Sequence, residues 1–600
     1  MCLTFLSQLY AQPFFETQNI SSSGGILDIR HSISFGSKST IGNGTIAAAD
    51  DRAEFWFNNE FIMGGSLIMH QKDSNGVWRY TQTLKSPNPE DWGFFGSAVS
   101  ISGHEMMVGA RGDGEYILGP HPNTNFSVGT VYCYERSPSG QWGATQAIPS
   151  PSVQLGGGFG GAIVLEGNTA FINAPSEHYI TPNQDTILFV GAVYVYEKDS
   201  LGVWQQIQRI APPEMPVVVP LANGQSKSYT FQAFGTTLAY GNGFLAVGSD
   251  FEPFITPTGD SLRRAGAVYL YQKDPSGLWT FSHKLRAPNT QAFDILGDII
   301  EIEDSTMLLG ILRSINPINS FNGTGGVLAY GLQPNGIWLL EQEIFPGDSM
   351  FTLDISRGSI DLEGDRFVLS APSTDVEVGL TIELNGAAFV YDRDSSGLWQ
   401  QTQSFVNTNP YPTIGRGLLG HGMGLENGDL FLTRRRISQS EVLIMADGKG
   451  IGRVFFDANE NCVVDSNEIA VGGNRLLIQP GNYLVETFES GVWLMPNLMP
   501  GTYTVSLDTT GGLTATCASS QTVIIDSAGN PSAVPDFGIK IENPCSAPDV
   551  SIQMPFIRRG FSNQNIYIRA SNQSNATSGI AAGYVKVELD NLIRLDSAST

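Results

Sequence analysis

The stretch GAVYVYEKDSLGVWQQIQRI, residues 191–210, decides the reading of this chain. Its first six residues alternate in the period-two pattern of a strand. A polar turn follows, with Gly202 free to take positive φ, and a second strand opens on Trp204. The unit reads as a β-hairpin, and it recurs. Six tryptophans in the first three quarters of the chain share the setting Gly-x-Trp, at Trp78, Trp142, Trp204, Trp279, Trp338 and Trp399. GTVYCY (129–134), GAVYLY (266–271) and GAAFVY (386–391) precede three of the others; GSLIMH (65–70) and GGVLAY (325–330) are weaker versions.

A second element precedes each hairpin. FGSAVSISGHEMMVGAR (95–111) aligns with FGGAIVLEGNTAFINAP (159–175) and FGTTLAYGNGFLAVGSD (234–250), and FGSKSTIGNGTIAAADD (35–51) is an earlier copy. Degenerate copies start at Ile295, Phe351 and Leu419. Each reads as strand, Gly-rich turn, strand, so each of seven units supplies four strands in about 60 residues. The seventh has a third strand, EVLIM (441–445), but no Gly-x-Trp strand. FFETQNI (14–20) matches WRYTQTL (78–84) and WQQTQSF (399–405), with Gln18 in register with Gln82 and Gln403. Borrowing that strand closes a ring of sheets and removes its open edges. The expectation is an all-β chain whose residues 13–447 form a seven-bladed β-propeller closed by an N-terminal strand.

Composition agrees. The 600 residues include 68 glycines, 10% aromatics and only 15% charged residues, against a usual charged share of about 25%. Disordered chains are charge-rich and aromatic-poor, the reverse of this one. Lys and Arg number 33 and Asp and Glu 58, a formal charge of −25. Nucleic-acid binders need a basic face, and the longest basic run is Arg434-Arg435-Arg436. No stretch approaches the 18 to 20 apolar residues of a membrane span. Residues 1–12, MCLTFLSQLYAQ, read as the remnant of a secretory signal peptide without its basic start.

FGSAVSISG, VGA and GAVYVYEKDSLGVW resemble FG-GAP repeats, the units of the integrin α-chain propeller and of many secreted bacterial proteins. The resemblance spans residues 14 to 447 and implies a fold more than a function. That family's D-x-D-x-D-G calcium loops are missing from this span.

Composition shifts at residues 446–450. Residues 448–542 resemble the prealbumin-like B-type modules of bacterial adhesins, through G-x-V-F-x-D, D-x-N-x-N and N-L-x-P-G-T-Y-x-V. Asp457, Asn459, Asn461, Val463, Asp465 and Glu468 hold positions 1, 3, 5, 7, 9 and 12 of a twelve-residue loop, the ligand spacing of a calcium site. Position 6 is Cys462, where an EF-hand has Gly; the bland alternative is an Asx-rich turn without metal. Cys462 and Cys517 are a disulfide candidate in an exported protein, or else two separate thiols. Residues 543–600 resemble the start of an Ig-like conserved-repeat domain, about half of one, so the chain reads as part of a longer protein.

Other motifs read as parts of the repeat. Gly156–Gly161 and Gly415–Gly420 fit G-x-G-x-x-G outside any βαβ unit. Arg111-Gly112-Asp113 falls where other copies have a post-strand loop. The seven histidines form neither H-E-x-x-H nor H-x-H. A Trp required in every unit reads as packing rather than sugar stacking.

The functional expectation is a secreted or cell-surface binding and adhesion protein without catalysis. The propeller is the ligand-binding head, for an extracellular glycan, matrix or surface protein, and the β-modules are a calcium-clamped spacer. The alternatives are an extracellular propeller enzyme, a hydrolase or lyase acting on carbohydrate or lipid, or a purely structural surface component. The modules together resemble exported proteins of the Bacteroidetes.

Overall fold

The computed structural model describes residues 15–572 apart from short segments, the longest being 31–38, 315–322, 346–357, 407–418 and 554–566. The expected signal remnant, the residues 447–450 and most of the expected Ig-like segment lie outside the described residues. Every element among the described residues is a strand. They group into two compact units, one of Met1–Ile451, Leu494–Pro500 and Ile525–Val534, the other of Gly452–Trp493, Gly501–Ile524 and Pro535–Thr600.

The first unit contains seven four-stranded antiparallel sheets. The second is representative: Phe95–Ser102, Glu105–Ala110, Thr130–Arg136 and Trp142–Pro149, in chain order. Six sheets end on a strand that opens with the repeated Trp. The seventh comprises Leu419–Glu426, Asp429–Arg435 and Ser440–Ala446, and its fourth strand is Phe15–Ser21. That strand pairs antiparallel with Ser440–Ala446.

One irregularity identifies the borrowed strand as a true copy. In all six Trp hairpins the register slips at the third residue after the Trp, for example past Thr145, between the pairs Cys133–Gln146 and Tyr134–Ala144. Such a bulge re-aims the side chains beyond it. The N-terminal strand slips at the matching place, between Glu16 and Gln18.

Packing runs between sheets. Both faces of the inner strands are apolar, and each buried cluster draws on two consecutive sheets: the first and second, second and third, third and fourth, fourth and fifth, fifth and sixth, sixth and seventh. A further cluster joins Ile46, Ala48, Ile68 and Trp78 of the first sheet to Phe431, Val442 and Ile444 of the seventh. The first strands of successive sheets also lie against one another in turn, the seventh against the first.

Polar contacts repeat the same order. Gln82, four residues after its Trp, donates to the Trp142 carbonyl and accepts from the Trp142 N–H, both at 2.9 Å. Gln146 clamps Trp204, Gln208 clamps Trp279 and Gln342 clamps Trp399 in the same way. At four of the six tryptophans the paired residue is a cation that covers the ring and reaches the start of the second strand in the preceding sheet. Arg136 lies over Trp142 and bonds Thr45, Lys198 lies over Trp204 and bonds Glu105, and Arg393 lies over Trp399 and bonds Thr306. Lys72, over Trp78, reaches Asp429 of the seventh sheet at 2.5 Å.

The glycine that opens each of the first four hairpins, Gly65, Gly129, Gly191 and Gly266, is a contact point. Gly191 has φ +87°, and a Cβ there would lie 2.1 Å from the carbonyl oxygen of Phe234 in the next sheet's FG turn. The two sequence motifs therefore touch across the sheet boundary, and only glycine fits.

The second unit has two four-stranded sheets. One orders Val492–Leu494, Ile451–Phe456, Phe537–Ile541 and Leu513–Ala515; the other orders Tyr483–Glu486, Arg475–Gln479, Gly501–Leu507 and Ser520–Ile525. Their buried residues include Val454, Leu476, Ile478, Trp493, Val505 and Phe537. Pro548–Gln553 and Tyr567–Asn572 form a separate antiparallel pair.

The clamp predicts a pair of opposite effects. Gln208→Ala leaves the Trp279 backbone groups without their partners and is expected to cost about 1–3 kcal/mol. At the fourth-to-fifth boundary the clamp position holds His283, whose Nε2 is buried and finds no partner among the described residues. His283→Gln installs the clamp on Trp338 and is expected to raise the thermal midpoint; an unchanged or lowered midpoint contradicts this.

Candidate functional site

In an antiparallel four-strand meander, the second-to-third connection lies at one end, opposite the two tight turns. Here that connection carries the added structure. It holds hairpins Glu54–Phe57/Glu60–Met63, Ile117–Leu118/Asn125–Phe126, Tyr179–Ile180/Thr186–Ile187, Phe254–Ile255/Ser261–Leu262 and Asp375–Val378/Thr381–Leu384. The other connections inside the sheets are turns of a few residues, such as Gly103-His104. Every described hairpin insertion within the sheets thus sits at one end of its sheet.

Beneath this end lies a repeated acid–tyrosine pair. Tyr194 donates to Glu177 at 2.7 Å, and Arg209 from the fourth strand neutralises that carboxylate at 2.6 Å. In the next sheet Tyr269 donates to Glu252 at 2.7 Å, with Lys284 at 2.7 Å and Arg286 also in contact. In the second sheet Tyr132 and Ser86 donate to Asp113 at 2.9 and 3.1 Å. The position facing Tyr132, which holds Arg209 or Lys284 in the other two sheets, is Ala147. Asp113 is 1% exposed and lacks that cation. Burial pushes its carboxyl up to about 7, against the lowering by Tyr132 and Ser86 and with help from the charge of Glu90.

This settles the Arg111-Gly112-Asp113 tripeptide as a structural element. Its carboxylate is buried under Tyr132 and Ser86. Arg111 lies over the Phe94 ring and 3.9 Å from Asp51.

Beside Asp113 the surface opens into a groove of about 470 Å³ lined by Phe57, Asn58, Glu60, Ile62, Pro89, Glu90, Asp91 and Gly114. Its walls come from the first sheet's hairpin insertion and the connection into the second sheet. Glu90 accepts from the Gly114 N–H at 3.2 Å and Asp91 from the Met63 N–H at 3.0 Å. Burial raises the pKa of Glu90, and the Gly114 bond lowers it in part. Trp56 and Trp92 are 66% and 54% exposed but are not among the lining residues. No repeat signal marks these residues, because the hairpin insertions of the several sheets share no sequence.

The opposite end is made of short turns held by the first strands. Glu303 accepts from the Gly364 N–H, Glu363 from Asn427 and Gly428, and Glu426 from Asn43 and Gly44. Two residues earlier, Glu301 and Asp361 are half-buried. Burial, then the charges of Asp361 and Glu303, push Glu301 up. Burial pushes Asp361 up to about 7, partly offset by the Leu425 and Leu362 N–H groups.

In the second unit, Cys462 and Cys517 are joined in a disulfide. The adjacent loop is organised by its side chains. Asp457, 1% exposed, accepts from the N–H of Asn461 and Cys462 at 3.1 Å each and from Thr516 at 2.6 Å. Burial raises its pKa, but these hydrogen bonds outweigh it and hold the carboxyl below its usual range. Asn459 accepts from the Asn461 N–H, and Asn461 from the Val463 N–H. The amides of both asparagines donate to Asp465, and Glu468 accepts from the N–H of Ala458 and Asp465. Cys462 takes φ +65°, the left-handed conformation for which an EF-hand uses glycine. Val463 is exposed. Among the described residues, the group of possible ligands that meets within 4.8 Å is Asp457, Cys462 and Cys517. Its two sulfurs form the disulfide and offer no thiolate. Asp457, Asp465 and Glu468 do not meet as such a trio.

No family model matches the chain, and no curated protein does. Solved structures do match, among them the crystal structure of a protein from Lactobacillus plantarum, a Northeast Structural Genomics Consortium target. It is 13% identical, with a TM-score of 0.31, over 62% of this chain and 85% of its own. A likeness this slight carries no argument.

Asp113 supplies a pH test. Its raised pKa means that the folded form holds a proton the unfolded form releases. Stability is therefore lost as pH rises from about 4 to about 7. Asp113→Asn keeps an acceptor for Tyr132 and Ser86 without the charge. Its thermal midpoint is expected to gain on the parent protein between pH 5 and pH 8; a constant or shrinking difference contradicts the assignment.

Proposed function

We propose that the first unit is a seven-bladed β-propeller of FG-GAP type, closed by its N-terminal strand. It serves as the ligand-binding head of a secreted or cell-surface adhesion protein of bacterial export type. The single observation that carries the binding role is the placement of the hairpin insertions at one end of their sheets. Scaffolds present recognition on loops held by rigid sheets, and a packing role gives no reason for one-sided insertions. The ring reading is supported by the cluster and the Lys72–Asp429 pair that join the first and seventh sheets. The partner class is an extracellular glycan, matrix or surface protein.

The second unit is the proposed spacer, a prealbumin-like module clamped by calcium. Asp457, Asn459, Asn461, Asp465 and Glu468 would supply side-chain oxygens and Val463 its carbonyl. Calcium would supply charge neutralisation that draws these carboxylates together. The Asx turns and the positive φ of Cys462 support the fit, and an all-oxygen set suits a hard cation.

The enzyme reading rests on Glu301 and Asp361, a pair of half-buried acids with raised pKa values. Glu303 and Glu363 add further negative charge there, and no cation or nucleophile is placed with them among the described residues, which makes it the weaker reading. Substrate turnover that is lost in Glu301→Gln would favour it.

Two measurements test the main reading. The full chain, applied to glycan and matrix-protein arrays with calcium or EDTA, is expected to give a saturable hit; none, from folded protein, contradicts the binding head. Saturating calcium is expected to raise one thermal transition by the mass-action amount, about 2.7 kcal/mol at one hundred times Kd. Asp465→Asn should abolish that shift, and its absence in the parent protein removes the calcium clamp.

A further inference from the structure

The turn between the first two strands of a sheet is Asn-Gly in three sheets: Asn43-Gly44 in the first, Asn242-Gly243 in the fourth and Asn427-Gly428 in the seventh. All three take the same left-handed pair of φ angles, 49–53° at the asparagine and 68–77° at the glycine. This is the two-residue hairpin turn, whose two N–H groups have no partner in the ladder. What meets those N–H groups differs. Glu426 of the seventh sheet accepts from Asn43 and, at 3.2 Å, from Gly44. Glu363 of the sixth accepts from Asn427 and, at 3.1 Å, from Gly428. The corresponding first-strand residue of the third sheet is Glu166, which is exposed. Among the described residues no carboxylate bonds Asn242 or Gly243. Both are exposed, whereas Gly44 and Gly428 are half-buried.

Asparagine followed by glycine can cyclise. The glycine nitrogen loses its proton to solvent base and attacks the asparagine Cγ. A C–N bond forms, the bond to the side-chain nitrogen breaks, and ammonia leaves. Water then opens the five-membered succinimide at either carbonyl, giving an aspartyl or an isoaspartyl residue. The turn must open for Cγ to reach the glycine nitrogen, and that nitrogen must give up its proton. A carboxylate bonded to the N–H opposes both. Opening breaks charge-assisted hydrogen bonds, and deprotonation sets a second negative charge beside the carboxylate. Asn335-Gly336 is restrained in another way. Gly336 donates to the Gln333 carbonyl at 2.9 Å, and Asn335 Oδ1 accepts from the Ile337 N–H at 3.1 Å. The Asn-Gly pairs that begin at positions 75, 223, 322 and 385 include residues outside the described ones.

We infer that Asn242 is a site of spontaneous deamidation, and that Glu426 and Glu363 protect the equivalent asparagines of the first and seventh sheets. The product adds one negative charge at the end of the fourth sheet opposite its hairpin insertion. An isoaspartyl residue also lengthens the backbone inside a two-residue turn, against the Gly241–Phe244 pairing that the turn closes.

The test incubates the folded full chain at mildly alkaline pH and follows each Asn-Gly peptide by mass spectrometry, with a parallel sample in denaturing urea. In the folded chain, conversion at Asn242 is expected to be several-fold faster than at Asn43, Asn427 or Asn335. In urea the four rates are expected to converge. Glu363→Ala should accelerate Asn427 several-fold and leave Asn242 unchanged, which separates loss of the clamp from general unfolding. If both accelerate together, the variant has opened the fold. Glu363→Gln, which keeps an acceptor and removes the charge, then decides on the same terms. Conversion at Asn242 no faster than at Asn43 and Asn427 overturns the proposal. So does the same order kept in urea, or an Asn427 rate indifferent to the loss of Glu363.

Discussion

A sheet that is apolar on both faces can stop only where another sheet covers it. That constraint governs the first unit. Strands such as Ala192–Lys198 and Ala387–Arg393 bury five consecutive residues, so side chains pointing both ways need cover. Burial at about 25 cal/mol per Å² rewards stacking sheet on sheet. A linear stack leaves two terminal faces and two open edges. The cluster joining Ile46 and Ile68 to Phe431 and Ile444 covers those faces with each other. The closed ring we propose follows from that.

Apolar faces alone do not set the spacing of the sheets. The bulge after each Trp and the Gln beyond it do so, through two hydrogen bonds to the backbone of the next outer strand. The clamp joins side chain to main chain, so it tolerates variation in the sequence it grips. Trp, Gln, the opening glycine and the paired cation each contact a neighbouring sheet. A repeat of about 60 residues thus records interfaces between units more than the interior of one.

This explains what could be read in advance. The hairpins, the seven units and the match of FFETQNI to the Trp strands were legible because every unit repeats the same contacts; the bulge at Thr17 is the same feature in backbone form. The Asx-rich character of the 457–468 loop was legible from residue spacing, and Cys462 takes a positive φ at its sixth position. The groove was not legible. Its residues come from the first sheet's insertion, the connection into the second sheet and Gly114, and the sequences of these segments do not repeat. Asp113 was hidden for a related reason. Its sequence neighbours suggest an exposed tripeptide, whereas its environment is set by Tyr132 and Ser86 and by the alanine that stands where other sheets place a cation. Charge pairing across a sheet leaves no local pattern.

Closure is tested most directly by covalent capture of the contact between the first and last sheets. Lys72 and Asp429 lie 357 residues apart in sequence and 2.5 Å apart in space. A carbodiimide joins an amine to a carboxylate at zero length. Lys273 and Glu197, also at 2.5 Å but in adjacent sheets, serve as the control. A closed ring predicts both couplings within single chains, found by mass spectrometry of the monomer fraction. Capture of Lys273–Glu197 without Lys72–Asp429, or of Lys72–Asp429 only between two chains, contradicts closure.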